Sequence, residues 1–144
     1  MRLLVVEDDL GVASLIQETL EAEGYALDRA ESGSEATGLL QSFPYDLVLL
    51  DVMLPGQDGF AVLADLRQHK NRIPVLMLNG RFDFFFPVDT SQQPMFETLG
   101  TPKTQKRHLL YDTSHGIPRL EMIRETLDWL DRYQPAPNAA SVPR

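Results

Sequence analysis

Three apolar runs, at residues 3–6, 47–50 and 73–78, constrain this chain more than anything else in it. The third, Ile73-Pro74-Val75-Leu76-Met77-Leu78-Asn79-Gly80, is rich in Val, Leu and Ile. It reads as a strand buried on both faces and closed by a turn-forming Asn-Gly. The segments before this strand supply carboxylates at strand ends. The segments after it supply Asp83, just past this strand, and His115, past a later one.

Between the runs the apolar spacing changes to that of helices. Residues 3–6 form a short strand that ends on Glu7-Asp8-Asp9, and Val12, Leu15, Ile16 and Leu20 recur at helical spacing up to Gly24, which suits a left-handed C-terminal cap. Residues 25–30 read as a second strand, partly buried. A Ser-Gly-Ser turn at 32–34 introduces a helix through Leu39 and Leu40 that stops near Pro44. Residues 47–50 are a central strand ending on Asp51, and after a loop dictated by Pro55, Gly56 and Gly59 a third helical face begins at Phe60, Leu63 and Leu66. Beyond the 73–80 strand lies an aromatic loop at 81–88. Ser91 is placed to cap a helix through Met95, Phe96 and Leu99, and residues 106–111 form a fifth strand. Pro118 suits a helix start, and Leu120, Ile123, Leu127 and Leu130 are the expected buried stripe of a last helix. Residues 134–144, rich in Pro and small side chains, are expected to be a disordered tail.

Strand–helix alternation of this kind builds a parallel sheet with right-handed crossovers, and ligands sit beyond the carboxyl ends of its strands. Glu7, Asp8, Asp9 and Asp51 all stand at such ends. A chain of 144 residues with 43% hydrophobic content supports one core, so residues 1–133 are expected to form a single domain. The net charge of −8 lies wholly in the first half, where residues 1–75 hold 5 basic against 13 acidic side chains and residues 76–144 hold 8 of each. Without a basic cluster the chain is not expected to bind nucleic acid, since phosphate contacts need concentrated Lys and Arg. Cysteine is absent, which excludes disulfides and thiolate metal sites. No segment reads as a secretory signal or a membrane span, so a soluble cytoplasmic protein is expected.

Leu3-Leu4-Val5-Val6-Glu7-Asp8-Asp9, followed at this separation by the run from Asp46 through Asp51 to Gly59, resembles a bacterial response-regulator receiver domain, of the subfamily that carries a winged-helix output domain. The resemblance covers about residues 1–78. It implies a three-layer α/β/α, flavodoxin-like fold with a five-stranded parallel sheet in the order 2-1-3-4-5. It also implies that Asp51 is a phosphoacceptor, that Glu7, Asp8, Asp51 and the backbone carbonyl of Met53 hold Mg²⁺, and that a histidine kinase or small phosphodonor is the partner. A hard dication wants oxygen ligands such as these. The family places Ser or Thr after its fourth strand and Lys after its fifth; here Asn79 and His115 stand instead, which implies a defective switch.

Residues 74–133 resemble the C-terminal part of an α/β-hydrolase, in which an acid and then a histidine follow successive late strands. Asp83 and His115 match that order. No Gly-x-Ser-x-Gly elbow occurs, so triad acyl transfer is not expected and the chain is read as a non-enzyme carrying hydrolase remnants. The two resemblances meet on residues 74–78, a joint at which strand direction and crossover hand are preserved. Together they imply an engineered chimera, 1–78 receiver-like and 79–133 hydrolase-like. Three readings follow: a switch-defective Mg²⁺-binding phosphoacceptor, a fold-recombination scaffold without activity, and a cryptic esterase.

Overall fold

A computed structural model describes residues 1–51, 54, 56 and 59–133, so the tail expected from residue 134 lies outside the described residues. The described chain divides into two compact units, one within residues 1–73 and the other within 74–134.

The first unit holds β1 (Arg2–Val6), α1 (Leu10–Ala22), β2 (Ala26–Ala30), α2 (Gly33–Ser42), β3 (Leu47–Leu50) and α3 (Gly59–Gln68). Its strands form a parallel sheet in the order β2-β1-β3. β1 has a ladder on each side, and Leu3, Leu4, Val5 and Val6 are at most 2% exposed, as a run without polar alternation requires. Leu4, Val6, Ala30, Ala36, Tyr45 and Val62 form one buried cluster, in which truncation of Leu4 to Ala would cost about 3 kcal/mol. The helix ends follow their sequence signals. Asp9 Oδ1 accepts the Val12 N–H at 2.9 Å and starts α1, and Gly24 beyond its end has φ 88°. Ser32 Oγ accepts the Glu35 N–H at the start of α2, while Glu35 returns its carboxylate to the Glu31 N–H. At the other end of the sheet the Arg2 guanidinium lies over the Phe43 and Tyr45 rings and pairs with Asp28. Burial and the Asp28 carboxylate, which accepts the Tyr45 O–H at 2.8 Å, push the Tyr45 phenol up to about 12.

The second unit holds β4 (Val75–Gly80), a π turn at Val88–Gln92, α4 (Gln93–Thr98), a 3₁₀ turn at Lys103–Gln105, β5 (Lys106–Tyr111) and α5 (Arg119–Tyr133). β4 and β5 pair in parallel, from Val75 opposite Lys106 to Gly80 opposite Tyr111. Four local expectations are corrected here. Val75 to Asn79 are half-buried rather than buried on both faces, because β4 has a ladder partner on one side only within its unit. Asn79 and Gly80 do not close a turn; both belong to β4. Ser91 is not a cap but lies inside the π turn, and α4 starts at Gln93 with Pro94 in its first turn. The buried face of α5 is Thr126, Trp129 and Leu130, whereas Leu120 is 81% exposed. Leu120 lies about 120° around the helix from Thr126, outside that face.

Candidate functional site

In the first unit, hydrogen bonding continues one step past the strands. The Glu7 N–H donates to the Ala30 carbonyl at 3.1 Å, and the Asp51 N–H donates to the Val6 carbonyl at 3.0 Å. This sets Glu7 and Asp51 side by side at the carboxyl edge of the sheet, one step beyond the Val6–Leu50 pair. Asp8 follows, and Asp9 turns away to cap α1. Glu7, Asp8 and Asp51 each present a carboxylate oxygen, and the three oxygens lie within 4.8 Å of one another.

Burial raises the Glu7 carboxyl above its ordinary range; the Asp9 N–H donating to Glu7 Oε1 at 3.0 Å opposes this, and the charges of Asp51, Asp8 and Asp9 reinforce it. A carboxyl that resists ionisation because it is buried, with other carboxylates beside it, would regain its charge next to a cation. The donor set is oxygen only, which suits a hard divalent ion such as Mg²⁺. The residues therefore fit the expected metal, with Glu7, Asp8 and Asp51 positioned to hold it. The Met53 carbonyl, the expected further ligand, lies outside the described residues.

In the second unit a different pair forms. Past the ends of β4 and β5 the Arg81 N–H donates to Tyr111 O at 2.7 Å and the Phe82 N–H to Thr113 O at 3.0 Å, which carries the two strand exits alongside each other. Gly80 has no side chain for a steric reason: a Cβ there would overlap the Ser114 carbonyl. Asp83 and His115 are thereby brought together, with Asp83 Oδ2 and His115 Nδ1 2.9 Å apart. Asp83 Oδ1 accepts the N–H groups of Phe85 and Phe86 at 2.9 and 3.0 Å. The Asp83 side chain is 2% exposed and that of His115 is 43% exposed. Burial works to raise the Asp83 carboxyl, but the Phe86 N–H, His115 and the Phe85 N–H together hold it below the usual range. The His115 ring meets Phe85 edge-on at 5.5 Å between centroids and lies 6.2 Å from Phe86. Asn79 stands on β4 opposite Leu110, one residue before the glycine.

Sequence reasoning missed Gln92, which is fully buried and donates from Nε2 to the carbonyls of Gly80 and Phe86 at 3.0 and 2.6 Å. It ties the end of β4 to the aromatic loop, and no periodicity marks it. The glycine that ends β4 is the one signal in the sequence for the close approach of the His115 turn.

Comparison with known proteins places the chain in a family. The sequence matches the response regulator receiver domain family over residues 3–107, past the residue-78 limit set by the sequence reading and into β5. It is 44% identical over 81 residues to the transcriptional regulatory protein TcrA of Mycobacterium tuberculosis, covering 56% of this chain and 32% of that protein. It is 41% identical over 80 residues to the transcriptional regulatory protein ResD of Bacillus subtilis, covering 56% of this chain and 33% of that protein. The chain thus spans about a third of the length of these relatives. Among solved structures, the response regulator TrrA of Thermotoga maritima in complex with Mg(2+)-BeF superposes with a TM-score of 0.62 at 26% identity, covering 90% of this chain and 98% of that one. The fold is accordingly the flavodoxin-like α/β fold with parallel strands, and the chain belongs to the response regulator receiver domain family.

Proposed function

We propose that the chain is a phosphoacceptor of two-component signalling in which Asp51 takes the phosphoryl group and Glu7, Asp8, Asp51 and the Met53 carbonyl hold Mg²⁺. The observation that carries this reading is the convergence of three carboxylate oxygens within 4.8 Å at the carboxyl edge of the sheet. The complex of the T. maritima relative with Mg(2+)-BeF supports it. Bound there, Mg²⁺ supplies charge neutralisation for the carboxylates and the incoming phosphoryl oxygens. An Asp51 oxygen attacks phosphorus, the bond to the donor's leaving group breaks with its electron pair, and an aspartyl phosphate remains. The donor is a histidine kinase or a small acyl phosphate, and the setting is cytoplasmic.

The switch is defective in this reading. Asn79 offers an amide where a hydroxyl would move, and His115 is not a permanent cation. Incubation with Mg²⁺ and acetyl phosphate should add one phosphoryl group by intact mass to the parent and none to Asp51→Asn. Equal labelling of both proteins, or of neither, refutes the assignment; no labelling would favour an inactive scaffold.

A second reading concerns the origin of residues 79–133 as an engineered, hydrolase-like half within one folded domain. It is favoured by the boundary between the units at Pro74, where the two resemblances meet, and by the Asp83–His115 pair at 2.9 Å. The triad route to acyl transfer is closed to that half, for want of an elbow serine.

A further inference from the structure

The Asp83–His115 pair is not among the groups proposed to take the phosphoryl group or hold Mg²⁺, yet it is built with more care than a surface contact needs. Asp83 is fixed by two backbone N–H groups on Oδ1 and directs Oδ2 at the imidazole. An ionised carboxylate only accepts, so His115 Nδ1 faces Asp83 with its proton, and in the neutral ring the lone pair then lies on Nε2. Nε2 has no protein partner among the described residues, on a side chain 43% exposed. The ring is flanked by Phe85 and Phe86, and on the same loop Phe82, Phe84 and Phe85 are 66%, 89% and 64% exposed. An oriented imidazole with a bare nitrogen is a nucleophile, and an apolar, aromatic surround favours a neutral aryl electrophile over an anionic one.

We propose that His115 is a nucleophilic imidazole site, positioned by Asp83, that accepts acyl groups from activated aryl esters. His115 Nε2 attacks the ester carbonyl carbon; the N–C bond forms and the C–O bond to the aryl group breaks, releasing the aryloxide with its electron pair. The acyl-imidazolium keeps its Nδ1 proton against the Asp83 carboxylate, which balances the new positive charge. Water then attacks the same carbon, the N–C bond breaks back to Nε2, and the carboxylic acid leaves with its excess proton released to solvent. The net reaction is ester plus water to acid plus phenol. No serine takes part, which separates this chemistry from a triad.

The chain contains three histidines, so the test carries an internal control. His69, 61% exposed, is more accessible than His115, but its Nδ1 lies 2.9 Å from the Asp65 carbonyl and 3.5 Å from an Asp65 carboxylate 28% exposed, against 2.9 Å to a carboxylate 2% exposed for His115. The full chain is treated with 4-nitrophenyl acetate, nitrophenolate release is followed, and the acetyl adducts are located by mass spectrometry after rapid acid quench. The expected result is acetyl on His115 in excess of His69, and loss of most nitrophenolate release in His115→Gln. Asp83→Asn retains an oxygen for the Phe85 and Phe86 amides but presents an N–H to Nδ1, which moves the imidazole proton to Nε2 and should abolish the His115 adduct. Adducts that follow exposure, with His69 ahead of His115, overturn the proposal. So does an undiminished His115 adduct in a folded Asp83→Asn. Should that variant fail to fold, the His115 to His69 ratio in the unaltered chain decides alone.

Discussion

Replacing Asp51 by Asn removes one of three negative charges whose oxygens lie within 4.8 Å of one another. Two unit charges at that separation repel by about 3.5 kcal/mol at an effective dielectric near 20. Asp8 is exposed, and a Debye length of about 8 Å reduces such a pair to roughly half that value. Asp51 belongs to two of the three pairs, so a net relief of about 2 kcal/mol is expected once relaxation is allowed for. For a chain of this size that corresponds to a rise in Tm of about 6 °C in the absence of divalent ions. Mg²⁺ should act in the opposite sense on the comparison. At about ten times its Kd it stabilises the parent by about 1.4 kcal/mol, or about 4 °C, and the variant by less. The assay is a set of four thermal melts, parent and Asp51→Asn with EDTA and with Mg²⁺. Glu7 provides a second readout by NMR titration. Its carboxyl should fall partway back towards the ordinary range in the variant, because burial remains while the Asp51 charge is gone. Equal Mg²⁺ shifts in the two proteins would refute the metal site, and a lower Tm for the metal-free variant would refute the electrostatic reasoning itself.

Because the folded-state Asp83 carboxyl lies below its usual range, its contribution to stability is present above about pH 4 and is lost as pH falls through the lowered value; acid titrations should show this component in the parent and not in Asp83→Asn. Tyr45 behaves oppositely: with a folded value of about 12, its contribution is complete below about pH 10 and is lost as pH rises towards the folded value, so Tyr45→Phe should flatten the alkaline limb of a stability profile. Residues 1–72 expressed alone should be largely unfolded by circular dichroism, since the family match spans both units, and a cooperatively melting fragment would contradict the single-domain proposal.

The parts of this molecule that sequence reveals are those written in a repeating pattern or a local signal. The strand at 3–6, the turn at 32–34 that introduces α2 and the left-handed Gly24 all depend on neighbours a few residues away, and all stand as read. The meeting of Glu7, Asp8 and Asp51 followed from strand ends in one parallel sheet, a rule of topology rather than of spacing. What stayed hidden was decided by single contacts. Gln92 is buried because two carbonyls need its amide, not because the residue is apolar. Leu120 is exposed although apolar, since a stripe one turn too long looks the same in sequence as one that fits. Gly80 was legible as a glycine but not as a contact surface, because the Ser114 carbonyl it touches lies 34 positions further along the chain.

The cross-ties around the aromatic loop bear on how it moves. Gln92 commits both Nε2 hydrogens to carbonyls of residues 80 and 86, and Asp83 collects the amides of residues 85 and 86. The loop that displays Phe82, Phe84 and Phe85 to water is thus closed on itself by hydrogen bonds that do not involve those rings. Its backbone entropy is surrendered at folding, and contact with an apolar molecule requires little further ordering. In hydrogen exchange the amides of Phe85 and Phe86 should open together, on the timescale of the whole loop, even though the phenyl groups they carry stand beside bulk solvent.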